Sequence, residues 1–484
     1  MIADVLPALL GFSSLATARL FQELQERAGA SAICTNSNGT YNLSSIAAPV
    51  QGAGSPGSEN TWNLAVDDTS SGHKQSVTGF GAAVTDATVT VFNSLSSSNL
   101  SSLLKEISHF SLMRHTIASS DLSGDPAYTY DDNGGNADPN LTGFGLGARG
   151  NATASLLAKM KSMNSKLQIL GSPWSAPGWM KLNDEIDGST NNNSLNDGYL
   201  TNNGAQYSSQ FAQYFVKYIS NFNSAGANIT AITIQNEPLN SQAGYPTMYM
   251  YDYEQANLVK YYVGPALKNA KLGTAIWAYD HNTDQPSYPQ TVINNGGGYV
   301  NTVAWHCYAN PLNWTVLNNF HNTNPNVTQY MSECYTSPDT PWDWVANFTM
   351  GPLQNWASGA MAWTLGTTPQ YGPHLSSGGC GDCVGLVTVS NGAYNLNVNY
   401  YMMAQFSKYI PQGATILNGT GSYSYADQTG IQSVASLNPD GTRTVVIWNK
   451  FSNDVYVTSS MKSGQKWSGN VPKNSVVTWL LPSA

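Results

Sequence analysis

Charge is what this chain has least of. Only 10% of its 484 residues are Asp, Glu, Lys or Arg, against about a quarter in an ordinary globular protein. The 29 acidic residues outnumber the 20 basic ones, and the formal net charge of -9 argues against recognising nucleic acid or another polyanion, which needs clustered Lys and Arg. Apolar runs are too short to span a bilayer, so no integral membrane contact is expected. The 7 histidines are scattered without ligand spacing, so neither a metal nor another cofactor is called for. Ser175, within Trp174-Ser175-Ala176-Pro177, lacks the G-x-S-x-G turn of a serine nucleophile. The 5 cysteines are too few for a disulfide scaffold, and their odd number leaves at least one thiol unpaired. Cys380-x-x-Cys383, in a Gly-rich loop, suits a tight loop disulfide better than a zinc half-site.

Amides, hydroxyls and aromatic rings take the place of charge. Asn, Ser, Thr and Gly are plentiful and 11% of the chain is aromatic, a surface that fits a neutral partner. At the amino end, Leu6 to Phe12 form a short apolar run followed by Ala16-Thr17-Ala18, the pattern of a signal peptide, although Lys and Arg are missing ahead of it. About eleven N-x-S/T sequons, Asn38, Asn99, Asn151, Asn313 and Asn418 among them, point the same way, to a secreted, extracellular glycoprotein.

Length suggests a large domain plus a smaller one. After a charged, helix-prone stretch from Arg19 to Ala30, short β-like runs appear, such as Tyr41 to Val50 and Trp62 to Val66. The middle alternates strands with helices. Expected strands are Val77 to Val84, Leu112 to Ala118, Leu167 to Leu170, Ile229 to Ile234, Gly273 to Tyr279, Val300 to Trp305, Val327 to Ser332 and Gly359 to Trp363. The clearest helix is Ala205 to Phe222, whose Phe211, Tyr214, Phe215, Tyr218 and Phe222 recur at helical spacing. Eight β-runs alternating with helices predict an α/β fold, a (β/α)8 TIM barrel. From Ala414 short β-runs return, with Pro439-Asp440-Gly441 expected to turn a hairpin. With the early runs they predict an attached β-sandwich formed from both chain ends. The expected organisation is a signal peptide over 1-18, an arm or pro-segment over 19-33, sandwich strands over 34-75, the barrel over 76-411 and the rest of the sandwich over 412-484.

The polar side chains fall where a barrel places its chemistry, at the carboxyl ends of its strands. Two strands end on glutamate: Ala231 to Glu237, stopped by Pro238, and Val327 to Glu333. A pair of carboxyls across a cleft can cleave a glycosidic bond, one as a neutral acid and the other as an ionised nucleophile about 5 Å away. Glu237 is the expected acid/base, with a pKa raised by desolvation and by its partner's charge. Glu333 is the expected nucleophile, kept anionic by Tyr308 and Arg114. Trp174 and Trp363, at strand ends, are the rings expected to stack on a pyranose face.

The runs Gly79 to Ala87, Met113 to Asp121, Tyr128 to Asp131, Gly171 to Pro177, Gln235 to Pro238, His306 to Tyr308, Ser332 to Cys334 and Phe406 to Pro411 together resemble glycoside hydrolase family 30. That family includes glucosylceramidases, fungal endo-β-1,6-glucanases and some xylanases. The resemblance implies a retaining mechanism, a barrel with a β-sandwich, and no cofactor. It assigns Glu237 as acid/base and Glu333 as nucleophile, Asn236 to the sugar 2-hydroxyl, and Asp86, Arg114, Trp174, His306, Tyr308 and Trp363 to the walls of the glycone subsite. Asp280 and His281 are placed less securely. The Gly378 to Cys383 loop departs from the pattern. The substrate expected is β-1,6-glucan cut internally by a monomeric enzyme. Glucosylceramide is the alternative, an acidic xylan the third choice, and a catalytically silent glycan-binding protein the reading from another class.

Overall fold

The computed structural model describes residues 29-54, 60-189, 207-419, 422-424 and 430-483. The expected signal peptide and most of the expected arm lie outside the described residues. The chain divides into two compact units, residues 75-413 and the two chain ends up to 74 and from 414.

In the larger unit eight strands close a parallel barrel: β1 (Gly79–Val84), β2 (Leu112–Ile117), β3 (Gln168–Pro173), β4 (Ala231–Thr233), β5 (Ala275–Asn282), β6 (Val300–His306), β7 (Thr328–Glu333) and β8 (Ala357–Ala362). Each pairs with its neighbour in sequence, and β8 closes on β1 through Gly359 opposite Gly79 and Ala362 opposite Ala82. Strands covered on both faces have no solvent side, and β1, β2 and β8 are buried at every residue. Leu112, Leu170, Ala231, Trp277, Ala304, Tyr330 and Met361, from seven of the strands, pack into one interior cluster. Its widest contact is Trp277 on Tyr330, with centroids 4.2 Å apart and planes within 6° of parallel. The Tyr330 hydroxyl is not stranded, because it shares a 2.6 Å hydrogen bond with Thr78.

The aromatic stripe forms helix α1 (Ser208–Ser224), and Phe211, Tyr214, Phe215, Tyr218 and Phe222 are all buried. Tyr218 hydrogen-bonds the imidazole of His115 on β2, which also stacks on Phe222.

The chain ends build two sheets. One runs in the order Ser44–Ile46, Ser31–Asn36, Ser475–Leu481, Arg443–Asn449, Gly430–Leu437 and Thr415–Leu417. The other runs Val50–Gln51, Lys466–Val471, Val455–Met461 and Asn60–Val66. Cys34, Leu64, Val445, Val457, Val477 and Trp479 belong to their common core. Sequence reading gave Tyr41 to Val50 as one β-run; the chain there makes two short strands, and Ser31–Asn36 and Lys466–Val471 were not foreseen. The Pro439-Asp440-Gly441 turn forms, with Gly441 at a φ of 84° that suits a residue without Cβ. Asn438 N–H donates to Thr442 O across it at 2.8 Å.

Two disulfides are present, Cys307–Cys334 and Cys380–Cys383, and Cys34 is a buried free thiol. Cys307–Cys334 joins the residues that directly follow β6 and β7, so it fastens together the chain segments leaving those two strands.

Replacing Trp277 with Ala removes the largest ring of the barrel's interior cluster. A loss of about 3–5 kcal/mol in barrel stability is expected, read as a lower urea midpoint with the slope unchanged. An unshifted midpoint would mean that the cluster does not support the barrel.

Candidate active site

The barrel's carboxyl end opens into a cleft of about 620 Å³. It is lined by Trp174, Asn236, Glu237, Tyr308, Glu333 and Trp363, which were expected there, by His281, whose expected place was less secure, and by Asp121, Asn240, Gln242, Tyr245 and Tyr335, which were not assigned. Backbone at several strand ends departs from regular geometry to aim these groups. Ala118, Glu237, Tyr279 and Asp280 all have positive φ, a costly conformation for residues with a Cβ. Pairing of β5 with β6 also slips between Tyr279 and His281, and that of β6 with β7 between Trp305 and His306.

Beneath the cleft lies Arg114 on β2, wholly buried. Its guanidinium donates through Nη1 to Glu333 Oε2 at 2.6 Å, and through Nη2 to Asn236 Oδ1 at 2.6 Å and Asp280 Oδ2 at 2.9 Å. An unpaired cation could not be kept there, and the two carboxylates neutralise it. Asn236 spends its carbonyl oxygen on Arg114, so its amide N–H2 is the end left for a ligand. The guanidinium carbon also sits 4.8 Å from the ring centroid of Trp174, whose plane stacks at 5.0 Å on Trp363.

His306 is the second buried hub. Nε2 is 3.0 Å from Asp280 Oδ1, while Nδ1 is 3.1 Å from Glu237 Oε1 and 3.6 Å from Glu333 Oε1. Both carboxylates therefore face one nitrogen, and the separation of their Oε1 atoms cannot exceed about 6.7 Å. Asp280 is fully enclosed, accepting also from Ser172 at 2.6 Å, Ser332 at 2.7 Å and Thr233 at 2.9 Å. Glu237 is held on its other oxygen by Asn240 Nδ2 at 2.9 Å, and Glu333 Oε1 accepts from the Tyr308 hydroxyl at 2.9 Å. Ligand atoms of Glu237, His281 and His306 lie within 4.8 Å of one another, close enough to share a cation, but both nitrogens of His306 already face carboxylates.

Charge in this cluster is set by burial against pairing. Burial opposes the His306 cation, yet Glu333, Asp280 and Glu237 surround it and raise its pKa to about 10. Burial also disfavours an ionised Glu237, but hydrogen bonds and charge from His281 and His306 hold that carboxyl well below its usual range. At Glu333 burial prevails over His306 and Arg114, and the carboxyl rises above its ordinary value. Sequence reading expected the reverse order, a raised Glu237 and a freely ionised Glu333. The cause of the difference is the pair His281 and His306, both of which hydrogen-bond Glu237, whereas Glu333 has only the charges of His306 and Arg114 against its burial.

Two expected wall residues, Arg114 and His306, thus act from behind the cleft rather than on its surface. Asp86 is not among the residues that line the cleft. It opens a helix (Asp86–Asn93) just past β1, where an acid favours the helix dipole, and its carboxylate accepts from Arg149 at 2.7 Å and Ser123 at 2.8 Å. Thr85, whose side chain caps that helix, was the sequence signal for this. Asp121 occupies the cleft instead. Its Oδ1 is buried without a hydrogen-bond partner, and burial, with Glu333 and Glu237 nearby, pushes its pKa up to about 7. The polar run Ser119-Ser120-Asp121 just past β2 was the available clue.

Comparison with known proteins decides the family. The glycosyl hydrolase family 30 TIM-barrel domain matches residues 77–410, and the family's β-sandwich domain matches residues 418–479. The chain belongs to glycosyl hydrolase family 30. It is 67% identical to the endo-1,6-β-D-glucanase neg1 of Aspergillus fumigatus over 99% of both chains. It is 68% identical to the endo-1,6-β-D-glucanase BGN16.3 of Trichoderma harzianum over 94% of both. Among solved structures, the endo-β1,6-glucanase BT3312 superposes with a TM-score of 0.80 at 26% identity, over 94% of this chain and all of the other. This member of family 30 is a glycoside hydrolase.

Replacing Tyr308 with Phe removes a donor to Glu333 while keeping the ring. A lost hydrogen bond to the ionised form raises a carboxyl pKa further. If Glu333 must be ionised to react, activity is present above its pKa and lost as pH falls through it. The acidic limb of kcat/KM should therefore move to higher pH in the variant; an unmoved limb would separate Glu333 from the ionisation that controls activity.

Proposed function

We propose that this family 30 hydrolase is a secreted endo-β-1,6-glucanase that works by double displacement, with Glu333 as nucleophile and Glu237 as acid/base. The observation that carries the mechanism is the placing of both carboxylates against His306 Nδ1, which limits the spacing of their two Oε1 atoms to about 6.7 Å or less. Retaining enzymes hold the two groups about 5–5.5 Å apart, whereas inverting ones mostly leave more room for a water.

In the first step a Glu333 oxygen attacks the anomeric carbon while Glu237 gives a proton to the glycosidic oxygen. The bond to the leaving sugar breaks and a glycosyl ester on Glu333 forms. In the second step Glu237, now a carboxylate, takes a proton from water as that water attacks the anomeric carbon and frees Glu333. The proton for the first step is stored between Glu237 and His306. Moving it from Nδ1 to Oε1, 3.1 Å away, yields neutral imidazole and carboxylic acid with the proton count unchanged, so a depressed Glu237 pKa is compatible with acid catalysis. Arg114 and the Tyr308 hydroxyl favour the ionised Glu333 that attack requires. The Trp174 and Trp363 rings, the free amide end of Asn236 and Asp121 supply a stacking face and polar contacts for one glucose unit.

Choice of glucan rests on the two fungal relatives, which share about two thirds of their residues with this chain along nearly its whole length. The cleft agrees with a neutral chain. Among the described residues its lining includes Asp121, Glu237, Glu333 and Asp382 and no Lys or Arg, which disfavours an acidic xylan side group. Export accords with the two disulfides, which persist in oxidising compartments. No helix among the described residues is long and apolar enough to cross a membrane.

Glu237→Ala should lower turnover of β-1,6-glucan by roughly 10²- to 10⁴-fold. A 2-fluoroglucoside with an activated leaving group should label Glu333 in the wild type and leave Glu333→Ala unlabelled. On a panel of β-1,6-glucan, β-1,3-glucan, xylan and glucosylceramide, a ladder of oligosaccharides is expected from the first alone. Unchanged turnover, a label elsewhere, or release of ceramide would each overturn the corresponding assignment.

A further inference from the structure

The loop that leaves Glu237 carries a second feature, outside the cleft. Along Met248-Tyr249-Met250-Tyr251 side chains alternate as an extended chain requires, with Met248 and Met250 buried and Tyr249 and Tyr251 turned outward. The segment is pinned by its main chain. Met250 N–H donates to Pro238 O at 2.7 Å, next to Glu237, and Met250 O accepts from the Tyr288 hydroxyl at 2.9 Å. Tyr251 then starts a helix (Asp252–Leu258), its N–H bonded to Glu254 Oε2 at 2.7 Å, which brings Tyr253 out beside it.

The result is a row of three rings. Tyr249 meets Tyr251 edge to face at 5.0 Å, and Tyr251 lies beside Tyr253 at 5.5 Å with planes within 9° of parallel. Tyr251 is 41% exposed and Tyr253 47%. Few large side chains among the described residues are so open, and leaving two adjacent rings in water forgoes the stabilisation that burial would give.

We propose that Tyr251 and Tyr253, with Tyr249 at their edge, form a stacking platform for a neutral pyranose chain, binding the leaving-group portion of the glucan beyond the cleft. This rests on the reading of Glu237 as acid/base in a glucanase. Three observations select the occupant. The platform stands at the end of a loop that also lines the cleft, because the stretch between Pro238 and Tyr251 contributes Leu239, Asn240, Gln242 and Tyr245 to the lining. It lies on the loop of the acid/base, the group that faces the leaving oxygen. Asp252, between the two rings in the chain, is acidic, which disfavours a polyanion. Phenol rings offer flat apolar faces to sugar C–H groups and hydroxyls to the surrounding water.

The test compares long β-1,6-glucan with a β-1,6-linked disaccharide and an aryl glucoside, using the full chain and the variants Y251A/Y253A and Y251F/Y253F. In Y251A/Y253A the KM for the long glucan should rise about five- to tenfold, as expected for two lost stacking contacts, with kcat/KM on the two short substrates within about twofold of wild type. Y251F/Y253F should restore the long-chain KM, since it keeps the rings. An unchanged long-chain KM in Y251A/Y253A, equal losses on short and long substrates, or failure of Phe to rescue would overturn the proposal. So would a change in sedimentation showing that the rings hold a second copy of the chain. Wild-type inactivity on every β-1,6-glucan would instead remove the substrate reading, so the two failures are distinguishable.

Discussion

The site is organised around one guanidinium that cannot reach water. Arg114 sits under the cleft with Glu333, Asn236 and Asp280 all within 2.9 Å. Each contact sets something the chemistry needs: the orientation of a carboxylate, which end of an amide faces the ligand, and the charge on a buried aspartate. Because the cation is buried, its partners cannot exchange it for solvent, and loss of both carboxylates would leave an uncompensated charge in the barrel's interior. The ring of small hydroxyls around Asp280, from Ser172, Thr233 and Ser332, extends that arrangement across β3, β4 and β7. Strands of a closed barrel supply these groups at fixed spacing, and the Cys307–Cys334 bridge secures the two segments leaving His306 and Glu333.

His306 gives the same cluster its proton. With Asp280 on one nitrogen and Glu237 on the other, the imidazole is aligned between a carboxylate that keeps it charged and one that can receive its proton. A single glutamate in an apolar pocket could hold a proton by desolvation alone, but here a second glutamate and an aspartate share the space and a cation is needed to keep three carboxylates together. The protonation state of the pair therefore describes the site better than a pKa assigned to either member.

The barrel was legible because each of its strands is a buried apolar run, and the eight observed strands overlap the eight runs read from the sequence. Glu237 and Glu333 stood out for a related reason: each ends such a run, where a barrel opens to solvent. Residues only slightly further along a loop were harder to read. Asp86 and Asp121 both follow strands, yet the chain after β1 turns at once into a capped helix while that after β2 passes through Ala118, at a φ of 69°, and brings Asp121 into the cleft. No periodicity encodes that difference. The reversed pKa order of the two glutamates was hidden likewise, since it depends on His281 and His306 both reaching Glu237, and two cysteines far apart in the chain gave no sign of pairing. Of the short sandwich strands, Ser31–Asn36 pairs with Ser475–Leu481 at the opposite chain end, while Lys466–Val471 pairs with the preceding Val455–Met461 and with Val50–Gln51; their own composition marks both weakly.

All of this converges on two carboxylates acting on the same carbon from a short spacing, which fixes the stereochemistry of the product. Proton NMR during hydrolysis of a β-1,6-linked glucan, recorded before mutarotation equilibrates the new reducing ends, reads it directly. The account predicts that the β-anomer appears first and the α-anomer grows in slowly. Initial appearance of the α-anomer would contradict it, and would require a water between Glu237 and Glu333 in place of a bond to Glu333.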